Sequence, residues 1–380
     1  MPLSYKHIFP RTSQVAYLDT SAEGLPLPSC ADAFQAYCRD KADGTPGRKA
    51  FHRVESEALD LTAKLLGTET GNVTFLSSAS EALNALATSL EWAPGDEVVI
   101  SDLEFPSNVL PWLRLKQAGI KVIVLPAEGG ALHWEQVVEH IGVRTRLVSL
   151  SLVSYRTGAY LPDVSGIAAE TSRVGAVLSI DATQALGRCP VSLDGVDYLV
   201  SSSFKWLLGP HGLGLVYVSP AFRKRMRPSG VGWYSVSNVF TPDRFECYDL
   251  KPGAACLATG MPNFPSIYAL RESLGFLLQV GVTNIFAELR PLVERLRQGF
   301  VDLGCHMLTP PGAEYASGVV AFAHPEAERI GAVLAEHGVI VWGGDRRVRA
   351  SVHLYNDAAD IERCLTALQS APGIPELSHV

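Results

Sequence analysis

No apolar run in the 380-residue sequence approaches the roughly 20 residues that a membrane-crossing helix needs. The N-terminal stretch MPLSYKHIFPRTSQ has no apolar core, so it reads as no secretory signal. Cysteine is scarce and scattered: Cys30, Cys38, Cys189, Cys247, Cys256, Cys305 and Cys364 are odd in number and never form a Cys-x-x-Cys pair. That argues against a disulfide framework and for reduced thiols in a cytoplasmic protein. Positive charge is also short, with 32 Lys and Arg against 39 Asp and Glu and a net charge of −7. A nucleic-acid surface would need clustered cations. The one basic cluster, Arg223 to Arg227, reads as a solvated helix end. With 47% hydrophobic and 19% charged residues, the chain is neither disordered nor a coiled coil. At about 150 residues per domain, its length fits two or three units, large enough to fold without disulfide or metal staples.

What the sequence does have is alternation. Val54, Ala58, Leu61 and Leu65 share one face of a helix expected over 54–66, and Gly67 stops it. Strands are expected at 72–78, 97–101, 121–127, 146–154, 177–181, 197–204 and 212–219. Helical patterns lie between the earlier ones, in SEALNALATSLEW, 108–118, HWEQVVEHI and VSGIAAETSRVG. Strands separated by helices predict an α/β fold with a mostly parallel sheet covered on both faces. Ligands collect at the carboxyl ends of such strands, which makes the residues after each strand the ones to inspect. The stretch 226–266 carries Pro, Gly and aromatics with little periodicity and reads as a long functional connection. Helices at 267–280 and 283–303 follow. GVVAFAH, a helix at 325–337, VIVWG, RASVHLY and a helix at 358–369 then form a small α+β domain, and the last ten residues form a loose tail. The expected division is an N-terminal segment over 1–25, a large domain over 26–265, and a connecting helix with the small domain over 266–380.

Two strand ends carry chemistry. Asp181 closes VLSID, where a carboxylate is poorly solvated and needs a cation or several donors to stay charged. A cap for the following QALG segment is the other reading. Lys205 follows a strand in SSSFKWLLGPHGLG, framed by Phe204 and Trp206. Burial there would lower its pKa and free the amine as a nucleophile, and a snorkelling surface lysine is the plain alternative. Together they supply the parts of a pyridoxal 5′-phosphate site: a lysine for the Schiff base, an acid for the pyridine nitrogen, and donors for the phosphate. LSSASEALN, with Ser77, Ser78 and Ser80 at a helix start, offers a phosphate seat.

SIDATQALG (179–187) followed by SSSFKWLLGPHGLG (201–214) resembles the class V aminotransferase family of pyridoxal-phosphate enzymes, and the likeness runs from YLDTSAEGLP (17–26) to RASVHLYN (349–356). That family includes cysteine desulfurases, kynureninase, isopenicillin N epimerase-like enzymes and C–S lyases. The resemblance implies the aspartate aminotransferase-like fold. It implies Lys205 as the Schiff-base lysine, Asp181 as the partner of the ring nitrogen and Gln184 as the partner of the phenolic oxygen. It implies Ser78, Ala79 and Ser80 as the phosphate turn, Ser202 as a further phosphate donor and Phe105 as the ring stacked on the cofactor. Thr183, beside Asp181, is expected as a further cofactor-binding residue. Arg349 matches the arginine that grips the substrate carboxylate. His52 lies near a position that approaches the substrate in some relatives, although a helix-start histidine is the commoner case. Thr259 and Asn263 fall in the segment that in relatives reaches the neighbouring subunit's cofactor phosphate, which implies a homodimer with shared sites. The partners so implied are an amino-acid substrate and a second copy, with no nucleic acid and no membrane.

Departures refine the expectation. Phe105 stands where desulfurases have histidine, and a phenyl ring stacks but carries no proton. VIVWGGDRRVR (339–349) is short and lacks the desulfurases' nucleophilic cysteine; Cys364, the nearest, falls in a helix after Arg349. Phe204 precedes the lysine where the family usually has His, Gln or Arg. SYRTG (154–158), FPSN and GWY (232–234) look more like kynureninase and the lyase or epimerase branch. That reading puts Tyr155 near the cofactor; the alternative is a strand-end tyrosine with a satisfied hydroxyl. The expected activity is Cα deprotonation of a cofactor-bound amino acid followed by β-elimination of C–S lyase type, with transamination and epimerisation as the alternatives.

Overall fold

The computed structural model describes residues 5–371 and residue 373. The loose tail expected over the last ten residues falls outside these apart from Ala371 and Gly373, as do residues 1–4 of the N-terminal stretch. The strands are β1 (Ala16–Tyr17), β2 (Val73–Leu76), β3 (Glu97–Ser101), β4 (Lys121–Leu125), β5 (Thr145–Ser151), β6 (Val177–Asp181), β7 (Tyr198–Ser202) and β8 (Gly214–Val218), then β9 (His306–Met307), β10 (Val319–Ala323), β11 (Val339–Ile340), β12 (Trp342–Gly344) and β13 (Arg347–Ser351). The helices are α1 (Ser29–Ala42), α2 (Arg48–Leu66), α3 (Ala79–Ser89), α4 (Leu110–Leu115), α5 (Trp134–Glu139), α6 (Val164–Val174), α7 (Pro220–Arg225), α8 (Phe264–Val280), α9 (Val282–Asp302), α10 (Ala327–Glu336) and α11 (Ala358–Gln369).

Seven strands form the main sheet in the order β2-β8-β7-β6-β5-β3-β4. Every residue of β6, β7 and β8 is buried, because helices cover both faces and leave no side for water. One face packs beneath α3 and α4, with Trp112 and Tyr198 fully buried; the other packs against α2, α6 and α8. The sheet is parallel except at β8, which runs against both β7 and β2. The short return from Ser202 to Gly214 holds no crossover helix, and a parallel neighbour would require one. A four-stranded antiparallel sheet, β12-β13-β10-β9, forms the small C-terminal sheet, and β1 pairs with β11 in a two-stranded parallel one.

Local sequence explains the element ends. Ser78 caps α3, its Oγ accepting from the Glu81 N–H, and Asp357 and Asp360 make a reciprocal cap at α11. The expected helix over 108–118 is divided: a 3-10 turn at Pro106–Asn108, then α4, then another turn ending at Gly119 with φ 82°. Pro111 fits the first turn of α4, where no intrahelical N–H is needed. The paired helices expected near 267–303 are α8 and α9, bent by 73° at Gly281 (φ 85°). No single described helix is long and apolar enough to cross a membrane. VIVWG, read as one strand, is split between β11 and β12, which belong to different sheets.

Candidate active site

The parallel-running strands β2, β3, β5, β6 and β7 all deliver their carboxyl ends to one cleft of about 360 Å³, closed on its other side by the β12–β13 hairpin. From β2 come Ser78, Ala79 and Ser80; from the loop after β3, Phe105 and Ser107; after β5, Tyr155; after β6, Asp181, Thr183 and Gln184; after β7, Ser202, Phe204 and Lys205. Trp342, Arg347 and Arg349 supply the far wall, and Ser21 and Ala22 a corner.

Asp181 is buried at the end of β6, and one of its oxygens accepts the Thr183 N–H at 2.8 Å. Burial holds its carboxyl above the usual range, against the opposing pull of Thr183 and Lys205. No helix follows Asp181; the QALG segment forms turns, so the carboxyl caps a turn that faces the cleft. Lys205 Nζ stands 5.3 Å from the Phe105 ring centre and 5.7 Å from that of Phe204. Burial, helped by the Arg349 charge, pushes its amine down to about 8. Gln184 is fixed at both ends of its amide: Oε1 accepts from Trp206 Nε1 at 2.7 Å, and Nε2 donates to the Ser21 carbonyl at 2.9 Å.

Arg349 donates Nη1 to the Tyr155 carbonyl at 2.9 Å, and its Nη2 lies 3.9 Å from Asp19. Its Nε is buried without a hydrogen-bond partner among the described residues. Burial lowers the Arg349 pKa to about 10 and raises that of Asp19 to about 7. Behind Asp181, Glu104 accepts from the Ser151 N–H, Ser151 Oγ, Ser101 Oγ and Asn108, and burial lifts its carboxyl to about 7.

Eleven of the expected residues therefore meet in this cleft. Three do not. Thr259 and Asn263 line a separate hollow with Ser77 and Glu81, on the outer side of the α3 start. His52 lies on α2, largely exposed, beside Glu55 and Tyr234. The sequence reading overlooked Arg347, Ser107, Ser151 and the Asp19–Ala22 corner. Arg347 had a usable signal: it sits two residues from Arg349 on one strand, and alternate strand residues share a face. Ser21 and Asp19 had none, since only the folded chain brings them to the site.

The residues fit pyridoxal phosphate. The first N–H groups of α3 have no intrahelical acceptor, which suits an anion. Gly214 on β8 packs so closely that a Cβ there would lie 2.3 Å from the Ser78 carbonyl carbon, so the seat is built around a missing side chain. An enclosed amine with lowered pKa, an enclosed carboxyl and an aromatic ring complete the set.

Residues 16–364 match the family described as aminotransferase class-V. Among curated relatives, an uncharacterised aminotransferase of Bacillus subtilis, YcbU, is 27% identical, with 96% of each chain covered. A probable cysteine desulfurase of Pyrococcus abyssi is also 27% identical, with 97% of each covered. The apo cysteine desulfurase of Thermococcus onnurineus superposes with a TM-score of 0.88 at 24% identity over 96% of both chains, a likeness of fold. With the match running through both the lysine-bearing strand end and the arginine strand, the chain belongs to the class-V aminotransferase family and is a pyridoxal-phosphate-dependent enzyme.

Proposed function

We propose that the enzyme is a C–S lyase that eliminates the β-substituent of an amino acid, the substrate being a cysteine conjugate or its sulfoxide. The observation that carries this reading is the make-up of the cleft wall: among the described residues it contains one amine, two arginines and several hydroxyls, but no cysteine and no histidine. All seven cysteines lie elsewhere, and Cys364 is buried in α11. Sulfur transfer to an enzyme thiol has no acceptor in this wall, whereas elimination needs only a base and a leaving group.

When bound, pyridoxal phosphate supplies an electron sink that makes the Cα–H of an attached amino acid acidic. Ser78, Ala79, Ser80 and Ser202 would hold its phosphate. Asp181 would keep a proton on the ring nitrogen, Gln184 would donate to the phenolic oxygen, and Phe105 would cover the ring face. Arg349 binds the substrate carboxylate. Lys205 Nζ takes the Cα proton; a Cα–Cβ double bond forms as the Cβ–S bond breaks with its electron pair going to sulfur. The sulfur leaves as the thiol (as the sulfenic acid from a sulfoxide) on taking a proton, and water hydrolyses the released enamine to pyruvate and ammonia. Phe105 and Phe204 flank the amine, and its burial lowers its pKa.

Thr259 and Asn263 belong, in this reading, to the phosphate seat of a second copy. Of the thirteen exposed large apolar residues among those described, six (Val231, Trp233, Phe240, Phe245, Tyr248 and Met261) fall in the 226–266 connection, as expected of a face covered in a homodimer.

Transamination is the second reading, favoured by the aminotransferase name of the Bacillus relative. Holoenzyme given S-substituted cysteines should release pyruvate, ammonia and a thiol with no 2-oxo acid present. Turnover that stops after one equivalent and resumes only when a 2-oxo acid is added would replace the lyase by the aminotransferase.

A further inference from the structure

Arg349 has a neighbour that the reaction above does not use. Arg347 lies two residues earlier on β13, so both side chains leave the same face of the strand, with Cα atoms ~6.6 Å apart. Both line the cleft. Arg347 is 3% exposed, and its Nε is buried with no hydrogen-bond partner among the described residues, as is that of Arg349. Its one carboxylate, Asp345, is paired through Nη1 and is itself 70% exposed, so that pair is open to water and exchangeable. Trp342 and Tyr155 pack against the guanidinium: Arg347 Cζ lies 4.6 Å from the Trp342 ring centre and 5.0 Å from that of Tyr155, and Arg349 Cζ lies 5.2 Å from Trp342. Aromatic rings packed on an arginine in this way hold it in place, and exchange of the exposed Asp345 would open its terminal Nη edge to an anion.

The turn that presents Arg347 is strained in keeping with this. Asp345 and Arg346 have φ of 47° and 56°, the two left-handed positions of a tight two-residue hairpin normally filled by Asn and Gly. A buried cation with a spare donor is costly without an anion. The substrate's α-carboxylate satisfies only one of the two arginines.

We propose that Arg347 is a specificity residue that binds a second acidic group, on the substrate's side chain, so that the enzyme takes amino acids carrying a distal carboxylate or an equivalent anion. This deepens the lyase reading, since it names the class of β-substituent at the same site.

Binding, rather than turnover, tests it. L-Glutamate against L-glutamine and L-aspartate against L-asparagine are near-isosteric pairs, and none carries a β-leaving group. Calorimetric titration of the holoenzyme should show at least one acid binding about tenfold or more tighter than its amide, the effect of one charge-assisted hydrogen-bond set. Arg347→Gln should remove most of that ratio, Arg347→Lys should retain part of it, and Arg349→Gln should weaken all four ligands. The proposal falls if the wild-type enzyme does not discriminate within either pair, or if Arg347→Gln weakens acid and amide alike in protein that keeps its melting temperature and bound cofactor. Failure of the lyase reading shows separately, as absence of pyruvate from S-substituted cysteines, whatever these titrations give.

Discussion

At the floor of the cleft, the surroundings of Lys205 set its chemistry. Phenyl rings flank the amine and Arg349 repels its proton, so its pKa of about 8 lies below the lysine norm. Lowering favours the neutral form, which is the form that adds to an aldehyde. Cofactor-free protein should therefore take up pyridoxal phosphate faster as pH rises, levelling off above about 8; stopped-flow absorbance that keeps rising towards pH 10.5 would show an ordinary lysine. Lys205→Ala should abolish the cofactor's covalent visible band and lower kcat by about 10²- to 10⁴-fold or more. Asp181→Asn keeps the shape and removes the charge that would hold the ring proton, so cofactor should still bind while kcat falls by a similar factor. Lys205 and Asp181 were legible because each follows an apolar strand and carries the wrong polarity for its place. Arg347 was legible only as strand period, and Asp19 not at all, because its neighbours Arg349 and Lys205 lie far away in sequence.

Elements place these side chains through contacts that a single side chain can disturb. Gly214 is the clearest case: the start of α3 rests on β8 with no room for a methyl group. Gly214→Ala should push α3 from the sheet, cost about 1–3 kcal/mol in denaturant unfolding, and weaken pyridoxal-phosphate affinity measured by fluorescence. Trp206 is fully buried and donates to Gln184, so Trp206→Phe should cost about 1–3 kcal/mol by leaving that acceptor unpaired and should loosen Gln184 within the site. Strand positions were legible in sequence because buried strands are continuous apolar runs. Their ends were less so: 72–78 shortens to Val73–Leu76 because Ser78 is needed as a helix cap, and the helix at 54–66 begins earlier, at Arg48. The helix α1 carries a weak apolar stripe, and only its packing on α8, where Tyr268 donates to Asp40, accounts for it.

Across the whole molecule, distant segments converge. β1 pairs with β11, Lys6 bonds Asp357 and Asp360, and the Tyr5 N–H reaches the Leu354 carbonyl, so the N-terminal segment is bound to β11 and the start of α11. The apolar connection 231–261 predicts a second copy: light scattering should give about twice 40.9 kDa, and charged substitutions at Phe240 and Phe245 should lower that mass. The sequence alone determined the alternation of strand and helix, the strand-end acid and amine, and the serines at the start of α3, because these rest on local periodicity and on polarity at fixed positions. Tertiary structure decided the reversal of β8, the closure of the cleft by the β12–β13 hairpin, and the meeting of Arg347 and Arg349 with Lys205. Those depend on which surfaces pack together over long separations, and hydrophobic burial favours many such pairings until the complete chain selects one.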